Sequence, residues 1–261
     1  PNRIFLGTAD GQIFFSNNSG EKWEKLVPGL GHRNLVVDNL AFDPADTDTL
    51  YAATWELKNN KGWLFRTRDS GKTWKEIVQG IPQNDFTRVI REDLERPGLL
   101  YVGTESGLYI SYNQGVGWQR IPDRRAIDRS DGLPVVPIYD IIVKDEELVV
   151  ATHGRSFWIL GNLALIRQLD NAQNQNGTHL FEPAGSYLIP SPQGPSRKHS
   201  YYDNIAPGSL QQNFSNQFVS SYVDVGSNPP EGVVISYCVP QQNHQTINIS
   251  IVDCENNRVK Y

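Results

Sequence analysis

Thr67-Arg68-Asp69-Ser70-Gly71-Lys72-Thr73-Trp74 is the stretch on which the fold turns. Its pattern is Ser/Thr-x-Asp-x-Gly-x-Thr-Trp. An Asp or Asn at the third position can accept hydrogen bonds from backbone amides further along, and the Gly accepts a positive φ, so the octet reads as a tight turn. The closing Trp carries a large apolar face that is best buried between neighbouring units. Ser16-Asn17-Asn18-Ser19-Gly20-Glu21-Lys22-Trp23 and Ser111-Tyr112-Asn113-Gln114-Gly115-Val116-Gly117-Trp118 repeat the pattern with Asn for Asp. In the three octets Ser16, Asn18, Gly20 and Trp23, Thr67, Asp69, Gly71 and Trp74, and Ser111, Asn113, Gly115 and Trp118 are therefore assigned structural roles. The tryptophans are expected to be core wedges. Asp69 reads as a turn stabiliser, because one carboxylate per turn is too few for a calcium cage.

Upstream of each octet lies a strand-like run ending in threonine. Ile4 to Thr8, Leu50 to Thr54, Leu100 to Thr104 and Leu148 to Thr152 align, with the threonines 46, 50 and 48 residues apart. Small residues before all four (Gly7, Ala53, Gly103, Ala151) suggest close backbone packing. A turn and a second strand follow each threonine, at Gln12 to Ser16, Trp63 to Thr67, Leu108 to Ser111 and Ser156 to Leu160. The octets lead into third strands beginning at Trp23, Trp74 and Trp118. A further strand precedes each new unit, at Leu35 to Phe42, Thr87 to Arg91 and Ile138 to Val143. Four strands in a repeat of about 48 residues is a propeller signature. A β-sandwich of the same strand count does not call for repetition of whole motifs.

The octets resemble the Asp-box, or bacterial neuraminidase, repeat of β-propellers, a group including sialidases, some endoglucanases and sortilin or Vps10-type proteins. Within it the chain is most similar to bacterial sortilin-like proteins. Asp85-Phe86-Thr87-Arg88-Val89-Ile90-Arg91-Glu92-Asp93, Thr152-His153-Gly154-Arg155-Ser156-Phe157-Trp158 and Asn228-Pro229-Pro230-Glu231-Gly232 carry that resemblance. It implies an all-β chain of about four propeller blades, read as the carboxy-terminal part of a larger propeller. In such relatives the Asn-Pro-Pro segment opens a small β-sandwich. The expected division is blades over 1–163, a connecting segment packing on the propeller over 164–225, and the start of an immunoglobulin-like module over 226–261. Ala164 to Leu169 reads as a short helix or an outer strand, Leu180 to Ile189 as a strand returning to the propeller, and Pro190 to Ser209 as a linker. Phe218 to Val225, Val233 to Val239 and Thr246 to Val252 alternate like strands.

The remaining features exclude more than they assign. A net charge of −5 argues against a nucleic-acid footprint. No segment approaches the roughly 18 apolar residues of a membrane helix. Cys238 and Cys254 fit no metal motif; they form either a single bridge or two free thiols. The five histidines lack metal-ligand spacing, and no Walker-type loop or Gly-x-Ser-x-Gly elbow occurs, so no metal or cofactor is expected. The resemblance implies a secreted, periplasmic or cell-surface location.

In a propeller, the turns after the threonines and the loops between blades share one face, and the octets lie at the other. The expected ligand face therefore carries Asp10, Trp55, Glu56, Glu105, His153 and Arg155 from the turns, and His32, Arg33, Asp85, Arg124 and Arg129 from the loops. Trp55, in a long polar hairpin, could stack on sugar or peptide. The leading expectation is a non-catalytic binding or scaffold propeller for protein, peptide or glycan. The alternatives are a glycoside hydrolase using two opposed acids such as Asp10, Glu56 or Glu105, and a structural subunit of a larger assembly. An open arc would be completed by more of the same polypeptide or by another chain, since a bare blade edge is a liability.

Overall fold

The computed structural model describes residues 2–26, 35–56, 58–121, 133–173, 178–185, 209–212, 218–221, 233–239 and 250–252. Four antiparallel sheets follow one another along the chain, and each is a propeller blade. Blade 1 holds β1 (Ile4–Gly7), β2 (Ile13–Ser16) and β3 (Glu24–Leu26). Blade 2 holds β4 (Leu35–Phe42), β5 (Leu50–Glu56), β6 (Lys61–Thr67) and β7 (Lys75–Glu76). Blade 3 holds β8 (Thr87–Glu92), β9 (Leu100–Thr104), β10 (Leu108–Ser111) and β11 (Gln119–Arg120). Blade 4 holds β12 (Ile138–Lys144), β13 (Glu147–Thr152) and β14 (Phe157–Gly161). Within each blade the strands are hydrogen-bonded in chain order, so every blade is a simple meander. The third strands are shorter than the sequence suggests, because the octet turn occupies the residues around each Trp.

The four threonines occupy equivalent places. Each hydroxyl donates to a carbonyl across its hairpin: Thr8 to Gln12 (3.1 Å), Thr54 to Trp63 (3.4 Å), Thr104 to Gly107 (3.0 Å) and Thr152 to Ser156 (2.6 Å). Two of their carbonyls also hold the next blade. The Val37 amide donates to Thr8 O, and the Thr87 hydroxyl donates to Thr54 O. The repeat therefore forms the joint between blades as well as the hairpin. The small residues before the threonines serve the same joint. A Cβ on Gly103 would lie 2.6 Å from Ile138 Cγ2 and 2.7 Å from Val89 Cγ1.

The three octets form one structure. Ser16, Thr67 and Ser111 donate to the side-chain oxygens of Asn18, Asp69 and Asn113 and accept from the amides of Gly20, Gly71 and Gly115. The Asx oxygens accept in turn from the amides of Lys22, Thr73 and Gly117. Ser19–Gly20, Ser70–Gly71 and Gln114–Gly115 all have positive φ. This left-handed pair is the backbone cost that the Asx hydrogen bonds offset.

Apolar clusters fill the joints between successive blades. Tyr51, Ala53, Leu64 and Ile77 of blade 2 meet Leu100, Val102, Tyr109 and Trp118 of blade 3. Tyr101, Leu108 and Ile110 of blade 3 meet Ile138, Ile141, Leu148 and Val150 of blade 4. The octet tryptophans of blades 2 and 3 each pack on the blade before. Trp118 is 5% exposed and donates to Ile77 O, and Trp74 joins Phe5, Phe15 and Leu26 of blade 1. Trp23 departs from the core-wedge expectation. It is 44% exposed, because no earlier blade stands against it among the described residues.

Blade 4 lacks an octet, and its chain continues into α1 (Leu163–Gln173). The helix, rather than an outer strand, is what Ala164 to Leu169 forms. Leu163 is fully buried in the cluster between blades 3 and 4. Arg167 ties the helix to both blades, pairing with buried Asp93 (2.9 Å), Glu95 (2.9 Å) and Glu146 (3.0 Å). Downstream, β15 (His179–Leu180) does not return to a blade; it pairs with β18 (Tyr237–Cys238). β16 (Ser209–Gln212) and β17 (Phe218–Ser221) form a hairpin. Cys238 is half-buried, and Cys254 lies outside the described residues. Most of the expected 226–261 module also lies outside them.

Candidate functional site

The innermost strands of blades 2, 3 and 4 share one irregularity. In register with the following strand, β4 skips from Val37 to Asn39, β8 from Thr87 to Val89, and β12 from Ile138 to Asp140. Each skip is a β-bulge opposite the threonine pair, and bulges re-aim the extra side chain. The displaced residues are Asp38, Arg88 and Tyr139. They lie on adjacent blades at the same height, beside the turns that follow the threonines.

Arg88 is the centre of the group. Its guanidinium lies 4.7 Å from the Phe86 ring centroid and 4.5 Å from that of Tyr139. It donates to Glu105 at 2.7–2.8 Å and stands 4.0 Å from the Asp38 carboxylate. Trp55 packs against Phe86 with centroids 5.5 Å apart, and His153 meets Tyr139 edge-on at 5.1 Å. A continuous line of aromatic and charged side chains thus crosses three blades. Arg88 is the side chain suited to this place, since a planar guanidinium stacks on rings while bonding carboxylates in its plane.

Asp38 has a distinct electrostatic setting. Burial pushes its carboxyl above the ordinary aspartate value, while the Arg88 charge and the Trp55 indole N–H pull the other way. The Trp55 Nε1 atom itself is buried and makes no hydrogen bond of full geometry. The Asp38 and Glu105 carboxylates both approach the one Arg88 guanidinium, at 4.0 and 2.7 Å.

The structure brings together Trp55, Glu105 and His153 among the residues expected from sequence. Asp10 and Glu56 are not in the cluster. Asp10 accepts from Thr8 and Gln12 (2.7 Å for Gln12), and Glu56 accepts from Asn59 at 2.9 Å, so each stabilises its own turn. Arg155 is exposed, and its carbonyl accepts from Trp158 Nε1. Asp85 is buried. It accepts from the Ser106 amide and hydroxyl and from the Tyr109 hydroxyl, which clamps the turn carrying Glu105. His32, Arg33, Arg124 and Arg129 lie outside the described residues. Asp38, Arg88, Tyr139 and Phe86 escaped the sequence reading. Their signal was the repeat itself, for 38, 88 and 139 are spaced 50 and 51 residues apart, close to the threonine period.

A second line of polar contacts runs beside the first. Asn39 accepts from the Ile90 amide and from Arg91 (2.7 Å), and Arg91 pairs with Asp140 (2.8 Å). Both lines join the same three inner strands, so the bulged face is held at two levels.

No family model matches the chain. A xyloglucanase of Paenibacillus sp is 28% identical over 134 residues, covering 45% of this chain and 13% of that protein. A vacuolar protein sorting/targeting protein 10 of Pyrenophora tritici-repentis is 34% identical over 97 residues, covering 36% of this chain and 6% of that protein. The chain therefore spans a small part of the curated relatives it matches. Among solved structures, the GH74 xyloglucanase of Xanthomonas campestris is 20% identical with a TM-score of 0.47, over 62% of this chain and 27% of that one. No described helix is long and apolar enough to cross a membrane.

Proposed function

We propose that this chain is a non-catalytic binding or scaffold propeller of the Asp-box, sortilin-like kind, acting outside the cytoplasm. Its ligand face is the bulged line from Trp55 and Phe86 through Arg88 to Tyr139 and His153. One observation carries the reading. The acids expected to do hydrolytic work are committed elsewhere: Asp10 and Glu56 to their own turns, and Glu105 to Arg88. What the face offers is ring surface flanked by charge, a combination suited to an extended polymer such as a glycan or a peptide.

Calorimetric titration with xyloglucan oligosaccharides and with a library of extended peptides tests this. Saturable binding of one class, without release of reducing ends, is expected. Arg88→Ala should weaken it about tenfold or more, the scale of a buried arginine anchor. Binding unchanged by Arg88→Ala would refute the assignment of the face.

The glycoside-hydrolase reading has one specific observation in its favour, the raised Asp38 carboxyl beside Glu105. A general acid needs such a shift. Release of reducing ends that is abolished by Asp38→Asn would establish hydrolysis and displace the binding reading.

A further inference from the structure

Within the ligand face proposed above, on which this inference rests, the charges are ordered by depth. The Arg88 side chain is 16% exposed, whereas those of Asp38 and Glu105 are 33% and 39% exposed. The guanidinium is already engaged: it lies over the Phe86 and Tyr139 rings, and Nε and Nη2 both donate to one oxygen of Glu105, Oε2. A ligand reaching this line therefore meets carboxylate oxygens and ring surface before positive charge. Two carboxylates against one guanidinium leave an excess of negative charge. Burial holds the Asp38 carboxyl above its ordinary value even though Arg88 stands 4.0 Å away, so one shared cation leaves it undercompensated. Neighbouring cations are committed: Arg91 pairs with Asp140 at 2.8 Å, Lys61 stands opposite Glu56 in the hairpin register, and Arg155 has a contact of its own.

The face also has a step. Beyond the Thr54–Trp63 pair the blade 2 hairpin runs on through Trp55–Gly62 and Glu56–Lys61, and β4 accompanies it with Val36 opposite Trp55 and Leu35 opposite Glu56. The blade 3 and blade 4 hairpins close directly after their threonines, Thr104 on Gly107 and Thr152 on Ser156. Two further residues raise blade 2 by about 7 Å over the adjoining turns. The raised part leans on blade 3, since a Cβ on Gly62 would lie 2.5 Å from Phe86 Cα. Alternation turns Trp55 to the same side as Ala53, toward blade 3, where it packs on Phe86. Phe86, Arg88 and Tyr139 are thus a floor, Trp55 an upright side, and Asp38 stands at the bulge where the two meet.

We propose that the occupant is a basic protein segment, with one lysine or arginine side chain seated in this step, its charged head on the Asp38 and Glu105 carboxylates and its stem along Trp55 and Tyr139. An aliphatic stem ending in a cation matches each surface, because methylenes cover rings while the head takes carboxylates, and rings flanking the head add cation–π attraction. A neutral glycan leaves the charge excess uncancelled, and an acidic segment adds to it. The charge pattern also steers a basic segment toward the face.

Calorimetric titration of the full chain with peptides of one Gly/Ser frame, carrying lysine, acetyl-lysine or glutamate at the central positions, tests it. The lysine peptide should bind, and acetyl-lysine or glutamate should weaken binding about tenfold or more. Raising salt from ~0.1 M to ~1 M, which shortens the screening length from ~10 Å to ~3 Å, should weaken the lysine peptide selectively. Asp38→Asn and Glu105→Gln should each lower its affinity and leave the acetyl-lysine peptide unaffected, a coupling that a merely disturbed face does not produce. Glu147→Gln, an equal loss of charge at an exposed position at the opposite end of blade 4, should change nothing. Lysine and acetyl-lysine peptides binding alike overturns the proposal. So does Arg88-dependent binding of xyloglucan oligosaccharides with no binding of the lysine peptide, an outcome that leaves the ligand face standing. Binding of neither probe removes the face and the proposal together.

Discussion

Glu92 should make this protein lose stability as pH rises through the near-neutral range. The side chain sits at the end of β8, is 4% exposed, and accepts from the Gly98 amide at 2.6 Å. Its second oxygen is buried without a hydrogen bond of full geometry. Burial is the main cause that pushes its carboxyl up to about 7, and the neighbouring Asp43 adds to this, while the Gly98 amide and the Tyr51 hydroxyl pull it down. An unfolded glutamate titrates near ~4.3. The folded state therefore holds the proton more tightly than the unfolded state between those values. Stability is fully present below about pH 4 and declines until about pH 7, then levels off. A difference of about 2.7 units corresponds to just under ~4 kcal/mol, and about 2 kcal/mol after allowance for solvent screening. Glu92→Gln keeps an acceptor for Gly98 and removes the charge. Urea unfolding at pH 5 and at pH 8 should show the wild-type protein losing about 2 kcal/mol relative to the variant on going to the higher pH. If the two proteins keep the same stability difference at both pH values, Glu92 does not titrate in this window and the account of its burial is wrong.

The octets supply two further expectations. Trp118→Ala empties the wedge between blades 2 and 3 and strips Ile77 O of its donor, so urea unfolding should show a loss of about 3–5 kcal/mol. Asp69 is held down at about 2, chiefly by the Thr73 side chain and then by the Thr73 amide and the Thr67 hydroxyl. Its contribution is present above about pH 4 and disappears as pH falls to about 2, so Asp69→Asn should flatten the acid limb of the thermal midpoint while leaving neutral pH nearly unchanged, as the Asn18 and Asn113 turns suggest.

Much of the architecture was legible in one dimension because it repeats. Thr8, Thr54, Thr104 and Thr152 mark the hairpins, and the Asx-x-Gly turns need particular residues at particular spacings to reach positive φ. Such local demands leave their trace in any single copy and are reinforced by every other copy. The ligand face was only half legible. Trp55, Glu105 and His153 follow from the rule that turns after the threonines share a face. The contacts that unite them did not, because Asp38, Arg88 and Tyr139 each look like one more residue of a strand until pairing reveals the bulge.

Sequence alone determined the meander of each blade, the turn chemistry and the period, since these depend on backbone preferences acting over a few residues. Tertiary structure decided which carboxylates are occupied, with Asp10 and Glu56 turned back on their own hairpins and Glu105 drawn to an arginine on the strand beside it. It also decided that identical motifs meet different fates. Trp118 is sealed and Trp23 is open, because burial is conferred by the neighbouring blade and no feature of the octet itself can supply it.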